Sequence, residues 1–281
     1  MTQTLEFYAS AASAGSRESL HALVRGIQDE IYGLSLRMLG TRADAQDATQ
    51  EILIKVITHV GSYRGESSFR TWVWKVATRH LLKVRRGRYE ASVDFASIEA
   101  MIDEGVHSPL GSPGAAAGDD VQRLAEEVRL GCTQAMLVAL DREHRIVYIL
   151  GDVLGLNSDQ AAQILTLDAA TFRKRLQRAR QRLGSFMQRK CGLVDPVAAC
   201  RCVRQIPVLS ARGLLDPKQL TLSEHPRRQL DQTSVNRAWE ELAELDSVTR
   251  LMRDQPDYAA PEVVFNKLRE LFDSKQFELL Q

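Results

Sequence analysis

Hydrophobic positions recur at spacings of three and four along most of the chain, the signature of amphipathic helices. Leu20, Leu23, Val24, Ile27, Ile31 and Leu34 form the first stripe. A second helix is predicted from Arg42–Asp44 through Ile52, Val56 and Val60, closed by Gly61. A third starts at the cap Ser67–Ser68 and buries Phe69, Trp72, Val73, Val76 and Ala77. It runs into a basic tail of Lys83, Arg85, Arg86 and Arg88. Shorter helices are predicted over 134–140 and 142–153. Ser158 can cap a helix to Leu165, and Asp168 one to Arg189. The tight turn Thr166-Leu167-Asp168 between them makes a helix-turn-helix pattern. Two amphipathic helices follow at 233–253 and 260–273, with Pro261 near the start of the latter. Alternating runs bounded by turn residues are few, so the expected fold class is all-α.

With 281 residues the chain has room for two or three small domains. No apolar run approaches the ~20 residues of a membrane span, so no membrane partner is expected. The first twenty residues lack a secretory signal. Four cysteines in this length argue against a disulfide scaffold. A cytoplasmic localisation is expected on both grounds. Net charge is only +1, so the distribution matters more than the sum.

Residues 89–133 carry nine acids against two bases, and their centre reads HSPLGSPGAAAGDD. This predicts an acidic flexible linker that turns helical from about Asp120. Residues 169–190 carry eight bases and no acid. Such a row of like charges calls for an extended anion, and a phosphate backbone fits. A solvated basic face is the plainer alternative. The preceding helix-turn pattern favours DNA.

Two more segments bear on chemistry. In Tyr63-Arg64-Gly65-Glu66-Ser67-Ser68-Phe69-Arg70-Thr71-Trp72-Val73-Trp74, Trp74 falls about 200° round the helix from Trp72. Among Arg70, Lys75 and Arg79 it suits stacking on an unpaired base, or else it joins the core. Asp44, Asp47 and Glu51 share a helix face. No His or Cys at ligand spacing and no phosphate cradle accompanies them. A protein-docking face is more economical than acid–base chemistry, and a solvated face is the plainest reading.

The segment DAQDATQE…YRGESSFRTWVWKVATRHLLKVRR, then a linker, then LDREHRIVYILGDVLGLNSDQAAQILTLDAATFRKRLQRARQRL closely resembles the extracytoplasmic-function (ECF) class of bacterial RNA polymerase sigma factors. The resemblance divides the chain into an N-terminal tail (1–15), sigma region 2 (16–88), the linker (89–133), sigma region 4 (134–189) and an extension (190–281). It implies a non-catalytic factor that binds core RNA polymerase, through the β′ clamp helices and β flap, and opens promoter DNA. No small-molecule substrate is implied, and an anti-sigma protein is a further candidate partner. Asp44, Asp47, Gln50 and Glu51 match the segment that docks on β′. Tyr63, Arg64, Ser67, Ser68, Arg70, Trp74, Lys75 and Arg79 match the part that opens the −10 element. Thr171, Arg173, Lys174, Arg175, Arg178 and Arg180 match the helix that reads the −35 element. The chain departs from the family where Leu-Pro becomes Leu140-Asp141, and where His80 and Gln160 replace the usual Asn and Glu. A helix-turn-helix regulator that never enters the polymerase is the alternative.

The resemblance explains little of the extension. Cys191, Cys200 and Cys202 with His225 form a candidate zinc or copper site, although a C-x-C pair strains two ligands of one ion. No cofactor is required for the sigma role. A regulatory disulfide or plain burial remain open for these thiols, and Cys132 is assigned to the core. The stripe Trp239, Leu242, Leu245, Val248, Leu251 and Met252 must be covered, by the last helix or by the sigma domains. The extension is therefore expected to regulate the factor in cis.

Overall fold

The computed structural model describes residues 4–108, 119–226 and 246–273. Regular elements among these residues are helical: α1 (Leu5–Ser13), α2 (Arg17–Leu39), α3 (Arg42–His59), α4 (Phe69–Lys83), α5 (Arg88–Ser92), α6 (Phe95–His107) and α7 (Asp119–Ala139). They continue with α8 (Arg142–Tyr148), α9 (Ser158–Leu165), α10 (Ala169–Lys190), α11 (Cys202–Ala211), α12 (Ser247–Arg253) and α13 (Glu262–Asp273). The chain divides into two compact units. One holds Met1–Gly87, Leu156–Arg173 and Asp257–Gln281, and the other holds Arg88–Gly155 and Lys174–Pro256.

In the first unit, α2 begins at the cap Ser16 and ends where Gly40 takes a left-handed φ of 86°. All six residues of its predicted stripe are buried. Thr41 caps α3 and Ser68 caps α4, each through its hydroxyl. The segment expected as an N-terminal tail is α1, which Thr4 caps and which packs on α2 and α4 through buried Ala9 and Ala12. Its Glu6 carboxylate accepts the Phe69 N–H at 3.1 Å, taking up a first-turn donor of α4. Trp72 and Val76 are half-buried rather than core. Trp72 instead stacks on Phe69 with ring centres 5.4 Å apart, beside Tyr63. The turn before α9 is capped by Asn157, not Ser158, and Gln160 closes the capping box. A glutamine serves that box as well as the usual glutamate. α13 lies on α2 and α3 through buried Val264, Phe265 and Leu268. Arg25 sits over the Phe265 ring at 4.1 Å, and Asp29 accepts the Ala260 N–H.

In the second unit, much of the segment expected as a flexible linker is helical. α5 and α6 occupy its first part and α7 its last, while residues 109–118 lie outside the described residues. The acid count hid an apolar spacing: Ile98 and Ile102 are buried, and Asp94 with Ser97 forms a capping box. Glu90, one of those acids, is buried between Arg142 and Arg145. Its oxygens take two bonds from Arg142 (2.8 and 2.6 Å) and one from Arg145 (3.0 Å). Removing it would leave two buried guanidinium groups short of a partner, a loss of about 3–5 kcal/mol.

The predicted helix 134–140 is the end of the longer α7. Asp141 caps α8, so the position of the family's proline still starts a helix. α8 runs on into a π-helical turn, Ile149–Val153. α11 packs on α6 and α7. Glu127 of α7 accepts the N–H groups of Thr221, Leu222 and Ser223 and the hydroxyls of Thr221 and Ser223. Asp246 caps α12, which packs on the π turn through buried Val248 and Met252. The remainder of the predicted helix 233–253, with Trp239, Leu242 and Leu245, lies outside the described residues.

Candidate polymerase and nucleic-acid interface

The basic helix α10 separates into two kinds of cation. Asp168 caps it, accepting the Thr171 N–H and hydroxyl at 2.7 Å each. Thr171 is thereby held at the helix start. Arg180 forms a two-point pair with Asp152 of the π turn, whose side chain is only 3% exposed. Arg175 pairs with Glu143, Arg182 with Asp141, and Lys190 with Glu99 and Asp103. The expectation that all eight bases await an external anion is therefore corrected. Four of the eight are paired by acids distant in sequence. Arg173, Lys174 and Arg178, and Arg189 near the helix end, are exposed and carry no ion pair among the described residues.

The segment before α4 is built differently. The Tyr63 hydroxyl donates to the Ser67 carbonyl at 2.6 Å, and its ring meets Phe69 edge-on at 5.2 Å. Gly65 has a φ of 74°, which favours glycine in this turn. Arg64 and Ser68 are exposed, and Ser67, Trp74 and Lys75 are half-buried. Arg70 pairs with Glu30 at 2.9 Å. Arg79, also exposed, reaches the Thr166 hydroxyl at 3.5 Å, where α9 packs on α4. His80 turns inward: Lys55 lies 2.6 Å from its Nδ1 and Glu51 3.8 Å from its Nε2. Burial, aided by Lys55 and opposed by Glu51, pushes the His80 pKa down, so the ring is neutral at pH 7.

On α3, Asp47 and Glu51 are exposed and Gln50 is half-buried. Asp44 is drawn into the helix start, accepting the Thr41 hydroxyl at 2.8 Å. Its carboxylate also fills the space that a β-carbon at Gly87 would need.

The cysteines give the largest departure from expectation. Cys132, Cys191, Cys200 and Cys202 line one cavity of about 30 Å³ in the second unit. His225 is buried elsewhere and is not among the lining residues, whereas Cys132, assigned to the core, is. Cys191 and Cys200 face each other across an isolated parallel β-bridge, with Gly192 N–H donating to the Cys200 carbonyl at 3.2 Å. Burial, with the neighbouring thiols adding to it, pushes Cys200 up to about 11 and Cys202 up to about 12. Nothing local in the sequence ties Cys132 to the other three; only the packing of α7 against α11 does.

No helix among the described residues is long and apolar enough to cross a membrane. The Sigma-70 region 2 model matches residues 23–89, and the Sigma-70, region 4 model matches residues 130–183. The chain is 30% identical over 189 residues to the ECF RNA polymerase sigma factor SigE of Mycolicibacterium smegmatis, covering 66% of this chain and 68% of that protein. It is 29% identical over 180 residues to the RNA polymerase sigma-H factor of Pseudomonas aeruginosa, covering 62% and 89%. A solved structure of CnrH in complex with the cytosolic domain of CnrY is similar at 18% identity with a TM-score of 0.45, covering 65% of this chain and 96% of that one. Such factors initiate transcription by binding core RNA polymerase and promoter DNA, and are not themselves enzymes. With both region models matched in order, this chain belongs to the ECF class of RNA polymerase sigma factors.

Proposed function

We propose that the factor docks on the β′ clamp helices through Asp47, Gln50 and Glu51, with Asp44 setting the start of their helix. The turn 61–68 and α4 then hold a flipped base of the −10 element, with Trp74 as the stacking surface. Arg173, Lys174 and Arg178 of α10 take the −35 element. The observation that carries this reading is the division of α10: among the described residues these three exposed cations lack an internal acid and sit together in the first half of the helix, whereas Arg189, the other unpaired base, lies at its far end. An acid-paired arginine must first give up its partner to bind phosphate, and these three need not. The work is done on cytoplasmic polymerase.

The extension regulates this activity in cis. Its last helix, α13, rests on α2 and α3, and α3 carries the docking residues. Transcription from genomic promoter fragments with core polymerase and the full chain tests the assignment. Promoter-specific transcripts that Arg173→Ala and Arg178→Ala weaken are expected. DNA binding without transcripts would return the protein to the helix-turn-helix regulators. Unchanged transcription after deletion of 191–281 would remove the cis role.

A further inference from the structure

We propose that Cys132, Cys191, Cys200 and Cys202 form a four-thiolate site for one zinc ion, with Cys132, not His225, as the fourth ligand. The inference is independent of the promoter reading above. Four cysteines occur in the whole chain, and all four meet at one cavity although they come from three separate segments. A space of about 30 Å³ admits a single ion or water and excludes an organic ligand. No carboxylate lines it. An all-sulfur donor set suits a tetrahedral zinc ion and does not suit magnesium or calcium.

Backbone geometry removes the objection to the C-x-C pair. Arg201 is extended, with φ −129° and ψ 136°. In extended chain, residues two apart face the same side, so Cys200 and Cys202 are directed together. The parallel bridge then sets Cys191 beside Cys200. Gly192 is required there, because a β-carbon would collide with the Cys200 carbonyl and the Arg201 side chain. Cys132 approaches from α7.

Supporting groups are in place as well. Gln205 Nε2 donates to the Ile102 carbonyl at 3.1 Å and lies 3.7 Å from the Cys200 sulfur, a contact that would orient a bound thiolate. Gly105 makes room for it, since a β-carbon at 105 would strike the Gln205 amide. Arg201 and Arg204 lie near Cys200, whereas Arg129, which also lines the cavity, is already paired with Glu126 and Asp254. Arg201 and Arg204 offset part of the net negative charge of four thiolates around one divalent ion. Among the described residues no three ligand side chains yet stand close enough together to hold an ion. Filling the site therefore requires the four side chains to draw together around the ion.

The test uses the full chain, purified with reductant, stripped of metal and titrated with Co²⁺ and then Zn²⁺. Uptake of one Co²⁺ per chain is expected, with sulfur-to-cobalt charge-transfer bands and the visible bands of a tetrahedral site, displaced by one Zn²⁺. Cys132→Ser should weaken zinc binding at least roughly ten-fold, while His225→Ala leaves it unchanged. Because Cys132→Ser could disturb packing, the unaltered chain supplies a second readout: Zn²⁺ should protect all four thiols from alkylation, scored residue by residue by mass spectrometry. Absence of the cobalt bands would overturn the proposal, as would protection confined to three cysteines or loss of binding in His225→Ala. Isolation with a Cys191–Cys200 disulfide and no metal uptake after reduction would replace it with a redox pair.

Discussion

Helices α4 and α10 both read as basic in sequence, yet their charges are disposed of differently. In α10 the acids of distant segments take up Arg175, Arg180, Arg182 and Lys190, leaving Arg173, Lys174 and Arg178 in its first half and Arg189 at its far end. Among the described residues Arg70 is the one lysine or arginine of α4 with an acid partner, while aromatic rings order the preceding turn. The lesson is that a charge count overstates the charge available to a ligand. What a nucleic acid meets is the remainder after internal pairing, together with the stacking surfaces beside it.

The largest effect that separates the two kinds of cation lies at Arg180. Arg180→Ala leaves the buried Asp152 carboxylate unpaired and should lower stability by about 3 kcal/mol in urea denaturation of the full chain. Asp152→Ala should be milder, about 1 kcal/mol, because the Arg180 side chain is 58% exposed and rehydrates. Arg173→Ala should keep stability within about 0.5 kcal/mol and instead reduce the salt slope of promoter binding by about 1. If Arg173→Ala unfolds the protein and Arg180→Ala only weakens DNA binding, the division of α10 is reversed.

A second, somewhat smaller effect distinguishes the tryptophans of α4. Trp74→Ala should lose about 2 kcal/mol of open-complex stability, roughly thirty-fold, measured by permanganate reactivity of the opened −10 strand. Trp72→Ala should act on folding instead, through the lost stack on Phe69. Equal effects of both on opening would merge the two roles. The smallest effect is at Arg70. Its pair with Glu30 is more than half exposed on the arginine side, so Arg70→Ala should change stability by only about 0.5 kcal/mol. A loss of promoter opening beyond that scale would mark Arg70 as a phosphate contact that the pair with Glu30 conceals.

What could be read from sequence followed how local the physics is. Stripe, cap and turn are decided within a few residues, so α2, α3, α4 and the Asp168 start of α10 are legible. The helical nature of 88–107 was obscured because net charge and Gly/Pro content speak louder than two isoleucines at spacing four. The pairings were beyond reach: Arg180 meets Asp152 across 28 residues, and Lys190 meets Asp103 across 87. The same holds for Cys132, whose helical setting looks like any core position until α7 and α11 are brought together.

The Glu127 collar has a consequence for signalling. Burial alone would raise the proton affinity of this carboxyl. The donors of Ser223, Thr221 and Leu222 outweigh burial and hold it below the ordinary carboxylate range. A group with a lowered folded pKa gives its full stabilisation above the unfolded value, about 4.3, and loses it only as pH falls through the lower folded value. Throughout the neutral range the collar is thus blind to protons. Across that range the joint between the extension and α7 therefore holds at the same strength, and a proton is not what would release it.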